Sequence, residues 1–334
     1  MIGYISDTLM KPVAWAIEGD KMERFGIRRT QAWARRYNRL RHGKYQRYRQ
    51  RLYAEQRDAL IAEDGVPVRP TVEMTDGWAI DTSRTAPHLD ALIEQAEQVI
   101  AERGGDGGRH FGKTFFQDLW EDPDAERYPA VLDFITSPQI VATVADYVRA
   151  IPHLAPSRPR GIRLNESWRK YDPDPDGPPK SSQMFHIDIH NCPVVYVIVP
   201  VRDVTDESGP FCFYGASDTD RIAGKLRWGE RGVPYRLADE EVAAATDGEA
   251  LHRFTYPKGS ILFIDSSACF HYGSRNAVVP RYQYMFAYAL PCRSDFSDVR
   301  LYQHRYPIRP DDGPLRRLLL DRYVLEAQPE PATT

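Results

Sequence analysis

The run Gln183–Met184–Phe185–His186–Ile187–Asp188 sets an imidazole and a carboxylate two positions apart. Side chains two apart on an extended segment point to the same face, so His186 and Asp188 can offer a nitrogen and an oxygen to one metal ion. A third ligand is expected at His271, in Cys269–Phe270–His271–Tyr272–Gly273, downstream of the glycine-led apolar run Gly259–Asp265. Two histidines and one carboxylate make a facial set with open coordination positions. That suits iron(II), which must take a bidentate cosubstrate and dioxygen together. Pro280–Arg281 opens the last long strand-like run, and an arginine there can grip a carboxylate through two parallel hydrogen bonds. Gln183, Tyr196 and Asn165 are candidates for lining the pocket. His190 shares the strand face of His186 and Asp188 and reads as a neighbour of the ligands. Arg275 competes with Arg281, but its place in the turn Gly273–Asn276 points to the surface, and His252 is expected to face solvent or the insertion described below.

Positioning these side chains requires strands. After residue 160 the texture is β: Gly161–Tyr171, Gln183–Asn191, Val194–Val204, Pro210–Tyr214, Arg253–Tyr256, Ser260–Asp265 and Tyr282–Leu290 are rich in Val, Ile, Phe and Tyr, with Gly and Pro between them. Many short strands without alternating helices argue for an antiparallel sandwich or jelly roll. A polar insertion at 216–252, with one helix expected around Asp239–Ala245, interrupts the series. Before residue 128 the pattern is helical. Leu89, Leu92, Ile93, Ala96, Val99 and Ile100 define one apolar face and Gly104–Gly105 end the helix. A further helix is expected from Ser137 as N-cap with Pro138 in its first turn, and a last one over about Pro314–Glu326. The expected organisation is a helical N-terminal region, 1–127, packing on a β core, 128–334.

Taken together, His186–Ile187–Asp188, the turn Glu207–Ser208–Gly209–Pro210, Gly215–Ala216–Ser217, the Gly259-to-His271 strand and loop, Asn276 and Arg281 resemble the phytanoyl-CoA dioxygenase-like branch of the iron(II)/2-oxoglutarate-dependent oxygenases. The resemblance covers about residues 128–291. It implies a double-stranded β-helix, mostly β with flanking helices. It also implies iron(II) on His186, Asp188 and His271, 2-oxoglutarate held by the metal and by Arg281, and dioxygen as oxidant with release of succinate and carbon dioxide. Hydroxylation of an unactivated C–H bond is the default outcome, with desaturation or cyclisation as branches of the same chemistry. A cupin-like metalloprotein that does not use 2-oxoglutarate would share the barrel. Gly215–Ala216–Ser217–Asp218 departs from the family's usual Pro-Gly-Ser-His turn, and the stretch from Asp188 to His271 is long for the family because of the insertion.

Two motifs are decoys. Gly107–Thr114 matches G-x-x-x-x-G-K-[ST] by letter, but an amphipathic helix precedes it where a P-loop needs a buried strand. Asp172–Pro173–Asp174–Pro175–Asp176–Gly177 opens like a calcium loop, yet its twelfth position is Gln183 where a bidentate Glu is needed. Composition sets outer limits. With 334 residues, 42% hydrophobic, the chain can bury a full core, and a net charge of -3 argues against a nucleic-acid partner. The basic stretch 21–57 is expected to be a solvated helix face whose arginines pair with acids elsewhere. No apolar run is long enough to span a bilayer, and no secretory segment is evident. The four cysteines form no C-x-x-C pair, which fits a reducing, cytoplasmic setting. The expected partner is a small-molecule substrate, free or carrier-bound.

Overall fold

The computed structural model describes residues 2–325 except 18, 106, 109–114, 158–159 and 249. Its helices are α1 (Ile2–Ala16), α2 (Ile27–Leu60), α3 (Leu89–Arg103), α4 (Asp124–Arg127), α5 (Pro129–Ile135), α6 (Pro138–Val148), α7 (Ala216–Lys225), α8 (Asp239–Ala245), α9 (Ser297–Arg300) and α10 (Pro314–Leu320). Its strands are β1 (Ala62–Glu63), β2 (Val66–Pro67), β3 (Trp78–Asp81), β4 (Phe116–Asp118), β5 (His153–Leu154), β6 (Ile162–Ser167), β7 (Val194–Pro200), β8 (Cys212–Phe213), β9 (His252–Arg253), β10 (Ile261–Asp265), β11 (His271–Tyr272) and β12 (Arg281–Ala289).

The large antiparallel sheet runs β3-β10-β7-β12-β6-β4, with β5 paired to the far end of β12. The small sheet runs β11-β8-β9, and Phe185 and His186 join it through bridges to Leu237 and His271. Phe211 and Phe213 from the small sheet pack against Tyr196, Ile198, Leu262 and Ile264 of the large one, closing a double-stranded β-helix around an apolar interior. The alternate residues Val195, Val197, Val199, Phe263, Tyr284 and Phe286 face outward into a second core formed with α3, α5 and α6. Both faces of the large sheet are therefore covered, which is why every residue of β7 is buried.

The helices expected near 89–103 and from Pro138 are α3 and α6. Ser137 occupies the N-cap position, but its hydroxyl donates to the Phe134 carbonyl and not to the helix amides. The insertion holds α7 as well as the expected α8. The run Gln183–Asn191 makes isolated bridges and no continuous ladder. The last helix stops at Leu320, and Glu326 lies outside the described residues, as do Arg109–Thr114 of the P-loop-like stretch. Two strands of the large sheet, β3 and β4, come from the part of the chain read as helical, where the runs are too short to show alternation. Among the described residues no helix is long and apolar enough to cross a membrane.

Helix α2 carries most of the basic stretch. Arg49 is fully buried and donates to the carbonyls of Ile151, Pro152, Leu318 and Asp321 at 2.6–3.1 Å, fastening α2 to the chain around β5 and α10. Burial lowers its pKa to about 9. Arg57 pairs with Asp146 and Asp58 as expected. Arg29, Arg36, Arg39, Lys44, Arg47 and Arg51 are exposed, and none forms an ion pair with a described carboxylate.

Asp118 on β4 is buried, and burial pushes its carboxyl up to about 6 against the pull of Arg163 and Arg160 and the hydrogen bonds from the Trp120 and Leu164 amides. A carboxyl raised in the folded chain binds protons more tightly there, so it subtracts stability as pH climbs from about 4 through about 6. Asp118→Asn retains an acceptor for both amides. It is expected to leave stability near pH 4 almost unchanged and to raise it at pH 8 by on the order of 2–3 kcal/mol. Urea unfolding at the two pH values measures this, and equal effects at both would contradict it.

Candidate metal centre and its cavity

His186 and His271 form an antiparallel bridge in which each amide donates to the other's carbonyl, at 3.1 and 3.0 Å. Such a pair holds both side chains on one face of the sheet, and the ring centroids are 4.4 Å apart. Each Nδ1 meets the carbonyl two residues earlier, His186 with Met184 at 2.9 Å and His271 with Cys269 at 2.8 Å. A carbonyl only accepts, so Nδ1 carries the proton and Nε2 presents its lone pair to the shared space.

Asp188 completes the group. Its amide donates to the Ser266 carbonyl at 2.8 Å and its Oδ2 accepts from Ser266 Oγ at 2.8 Å. The His271 Nε2–Asp188 Oδ2 distance is 4.0 Å, and one ligand atom from each of the three residues lies within 4.8 Å of the others. Burial works against the charge on Asp188. His271, His186 and His190 and the Ser266 hydroxyl outweigh it and hold the carboxyl below its ordinary value. The donor set, two neutral nitrogens and one anionic oxygen, fits a divalent transition metal.

The turn that carries Ser266 is itself anchored. Asp265 at the end of β10 accepts from the Ser267 amide and hydroxyl and from Tyr147 Oη at 2.9 Å. From the opposite side, the insertion fastens the ligand segment. Tyr235 Oη donates to the Ile187 carbonyl at 2.9 Å, and Phe185 and Leu237 exchange amide hydrogen bonds at 3.2 and 2.9 Å.

A cavity of about 100 Å³ adjoins the group and is walled by Tyr196, Asn165, Gln283 and Arg281 among others. Arg281 is 4% exposed and reaches only neutral oxygens: the Gly209 carbonyl, Ser167 Oγ at 3.3 Å and Ser274 Oγ at 3.1 Å. No described carboxylate pairs with it, and burial lowers its pKa to about 10. Gly209 offers its carbonyl from a left-handed turn at φ 62°, where a Cβ would stand 2.4 Å from the Arg275 carbonyl oxygen, so glycine is required.

Other expected residues fall in varied places. Tyr196 and Asn165 line the cavity. Gln183 is buried, but its carboxamide accepts from the Lys180 amide and donates to the Ser274 carbonyl, so it steadies Ser274 from behind the wall. Arg275 is committed to Asp239 of α8 at 2.6 and 2.8 Å and lies over the Tyr272 ring. His190 is bound to Asp295 at 2.7 Å, and His252 sits against Trp78 and Phe213. In the acidic loop, Asp172 pairs with Lys180 and Asp176 with Arg169. Ser266, Ser274, Ser167, Tyr235 and Arg163 were not picked out from sequence. Each is an isolated residue of a common type, and only the glycine-rich and turn context near Gly273 could have hinted at Ser274.

No family model matches the sequence, and no curated protein matches it. Solved structures do. The chain is similar to EctD from S. alaskensis with bound Fe, at 13% identity and a TM-score of 0.44 over 75% of this chain and 82% of that one. It is similar to the non-heme alpha ketoglutarate dependent epimerase SnoN from nogalamycin biosynthesis, at 14% identity and 0.40 over 64% and 77%. It is also similar to HygX from Streptomyces hygroscopicus with nickel and 2-oxoglutarate bound, at 14% identity and 0.38 over 64% and 82%. The chemistry of those enzymes is their own, and that of this chain rests on its side chains.

Tyr235→Phe removes the donor to the Ile187 carbonyl and leaves a buried acceptor unsatisfied. It is expected to cost about 1–3 kcal/mol of stability. Urea unfolding checks it, and an unchanged midpoint would mean that this hydrogen bond does not brace the ligand segment.

Proposed function

We propose that the chain is an iron(II)- and 2-oxoglutarate-dependent oxygenase of the phytanoyl-CoA dioxygenase-like type, hydroxylating a small molecule that is free or carrier-bound. One observation carries the reading: a His-Asp-His set and a buried arginine without a described carboxylate partner share a single small cavity. Iron(II) with 2-oxoglutarate would supply oxidation of an unactivated C–H bond by dioxygen, with release of succinate and carbon dioxide. His186, Asp188 and His271 would hold the metal. Their fixed tautomers and the Ser266 hydrogen bond would keep the three donors converged without rearrangement. Arg281 would receive the distal carboxylate of 2-oxoglutarate, whose charge its buried guanidinium lacks, with Ser167 and Ser274 flanking it. Gln183 would act through Ser274, and Tyr196 would form the wall beside the metal. The four cysteines are all unpaired, in keeping with a reducing, cytoplasmic setting.

The purified protein is expected to bind one iron(II) per chain, and His186→Ala and His271→Ala should each lose metal and 2-oxoglutarate turnover together. Metal analysis and succinate assay measure this; full iron retention in both variants would sink the assignment. A screen of small metabolites for stimulated succinate formation, read by product mass, separates hydroxylation from desaturation or cyclisation.

Arg281→Ala should weaken 2-oxoglutarate binding with the metal still in place. Removing one member of a buried charge pair costs roughly 2–5 kcal/mol, which is about thirty-fold and upward in affinity. Calorimetric titration of the metal-loaded protein measures it, and an unchanged affinity would remove Arg281 from the cosubstrate site.

A further inference from the structure

The cavity beside the metal group contains a second guanidinium. Arg163 lies on β6 and faces inward with Asn165 and Ser167, the alternate residues of that strand. Its register partner on β12 is Met285, whereas Arg281 pairs with Ser167. The two arginines thus mark positions about 13 Å apart along the strand. Arg163 therefore starts from a different stretch of the wall than Arg281, and the 2-oxoglutarate affinity below tests whether the cosubstrate reaches it.

A guanidinium carries five N–H donors. Arg163 makes no hydrogen bond or ion pair with a described residue, and its Nε is buried without any hydrogen-bond partner. Asn165 Oδ1 and Gln283 Oε1, both on the same wall, are buried acceptors without a partner among the described residues, so they are open to a donor on the ligand and not to its anionic group. The charge on Arg163 is offset only in part. Asp118 feels both Arg163 and Arg160, but Arg160 is also paired with Asp122, and Arg163 itself forms no ion pair with a described carboxylate. Buried polar atoms need partners, and here one donor, Arg163 Nε, and two acceptors line one space.

Resting on the oxygenase reading above, we propose that Arg163 is the substrate-side anchor of the cavity, and that the substrate carries an anionic group, a carboxylate or a phosphate, seated on this guanidinium, with a hydrogen-bond donor of the substrate facing the Asn165 and Gln283 oxygens. Arg163 is then a specificity-determining residue. It selects anionic substrates and fixes which end of them lies away from the metal.

The test uses the full chain loaded with manganese(II) and 2-oxoglutarate. Crystals soaked in sodium bromide, whose anomalous scattering marks a monoanion, should show a peak at hydrogen-bond distance from Arg163, retained in Arg163→Lys and lost in Arg163→Gln. Calorimetry should give 2-oxoglutarate affinities within about twofold for wild type and Arg163→Gln. Should Arg163→Gln fail to fold because Asp118 loses a counter-charge, Arg163→Gln combined with Asp118→Asn restores the balance and takes its place. Two results overturn the inference: no bromide at Arg163 in the wild type, or a tenfold fall in 2-oxoglutarate affinity in Arg163→Gln, which would assign the residue to the cosubstrate. A compound without an anionic group that stimulates succinate formation equally in wild type and Arg163→Gln overturns it too. Failure of the wild type to bind metal or 2-oxoglutarate sinks the oxygenase reading instead, and the bromide result then decides Arg163 by itself.

Discussion

His186 and His271 exchange both backbone hydrogen bonds, and a hydrogen-bonded antiparallel pair keeps its two side chains on the same face of the sheet. Sliding that pairing by one residue would turn one imidazole out of the barrel. Much of the surrounding structure secures this register. Phe185 and Leu237 pair on one side of it, Phe213 pairs with His271 on the other, and Asp188 is tied to Ser266 at the end of the segment. The insertion, which from sequence reads as a polar interruption, contributes Trp228, Tyr235 and Leu237 to a core shared with Phe185 and Ile187. It holds the ligand segment from behind.

Buried arginines show how the fold distinguishes support from function. Arg49 is satisfied by four carbonyls, and Arg293 by Asp295 with Asp298 close by. Arg293 has its charge met by carboxylates, whereas Arg49 is held by carbonyls alone, without an ion pair to a described carboxylate. Arg281 is as deeply buried, and among the described residues it meets a carbonyl and two hydroxyls. Moving a cation out of water without a counter-charge is costly, and what sets Arg281 apart from Arg49 is that it borders the cavity beside the His-Asp-His group. The buried histidines follow the same division. His190 is matched to Asp295, whereas His186 and His271 have their Nδ1 hydrogens accepted by carbonyls and turn Nε2 toward a carboxylate.

The pairs and runs that carry local chemistry were legible in the sequence. His186 and Asp188 share a face because alternation is a property of any extended segment, whatever it packs against. Helices α3 and α6 were visible for the same reason, since a 3.6-residue period survives without knowledge of the partner surface. The β texture after residue 160, and with it the sandwich, followed from β-branched and aromatic runs separated by glycine and proline. What the sequence did not determine depends on contacts between distant residues. Strands β3 and β4 are too short to show a period, and they are strands because β10 and β6 offer open edges beside them. The destination of Gln183 could not be read, since a carboxamide two residues outside a ligand pair can turn inward or brace a neighbour with equal ease. Ser266, Ser274 and Tyr235 leave no mark in the sequence, because a hydroxyl gains its role only from the acceptor placed opposite it. Arg163 is the clearest case. In sequence it is one of many arginines. Only the tertiary structure decided that it faces the cavity with its Nε buried and no described residue accepting from it, because such surroundings are properties of the whole fold and not of the residue.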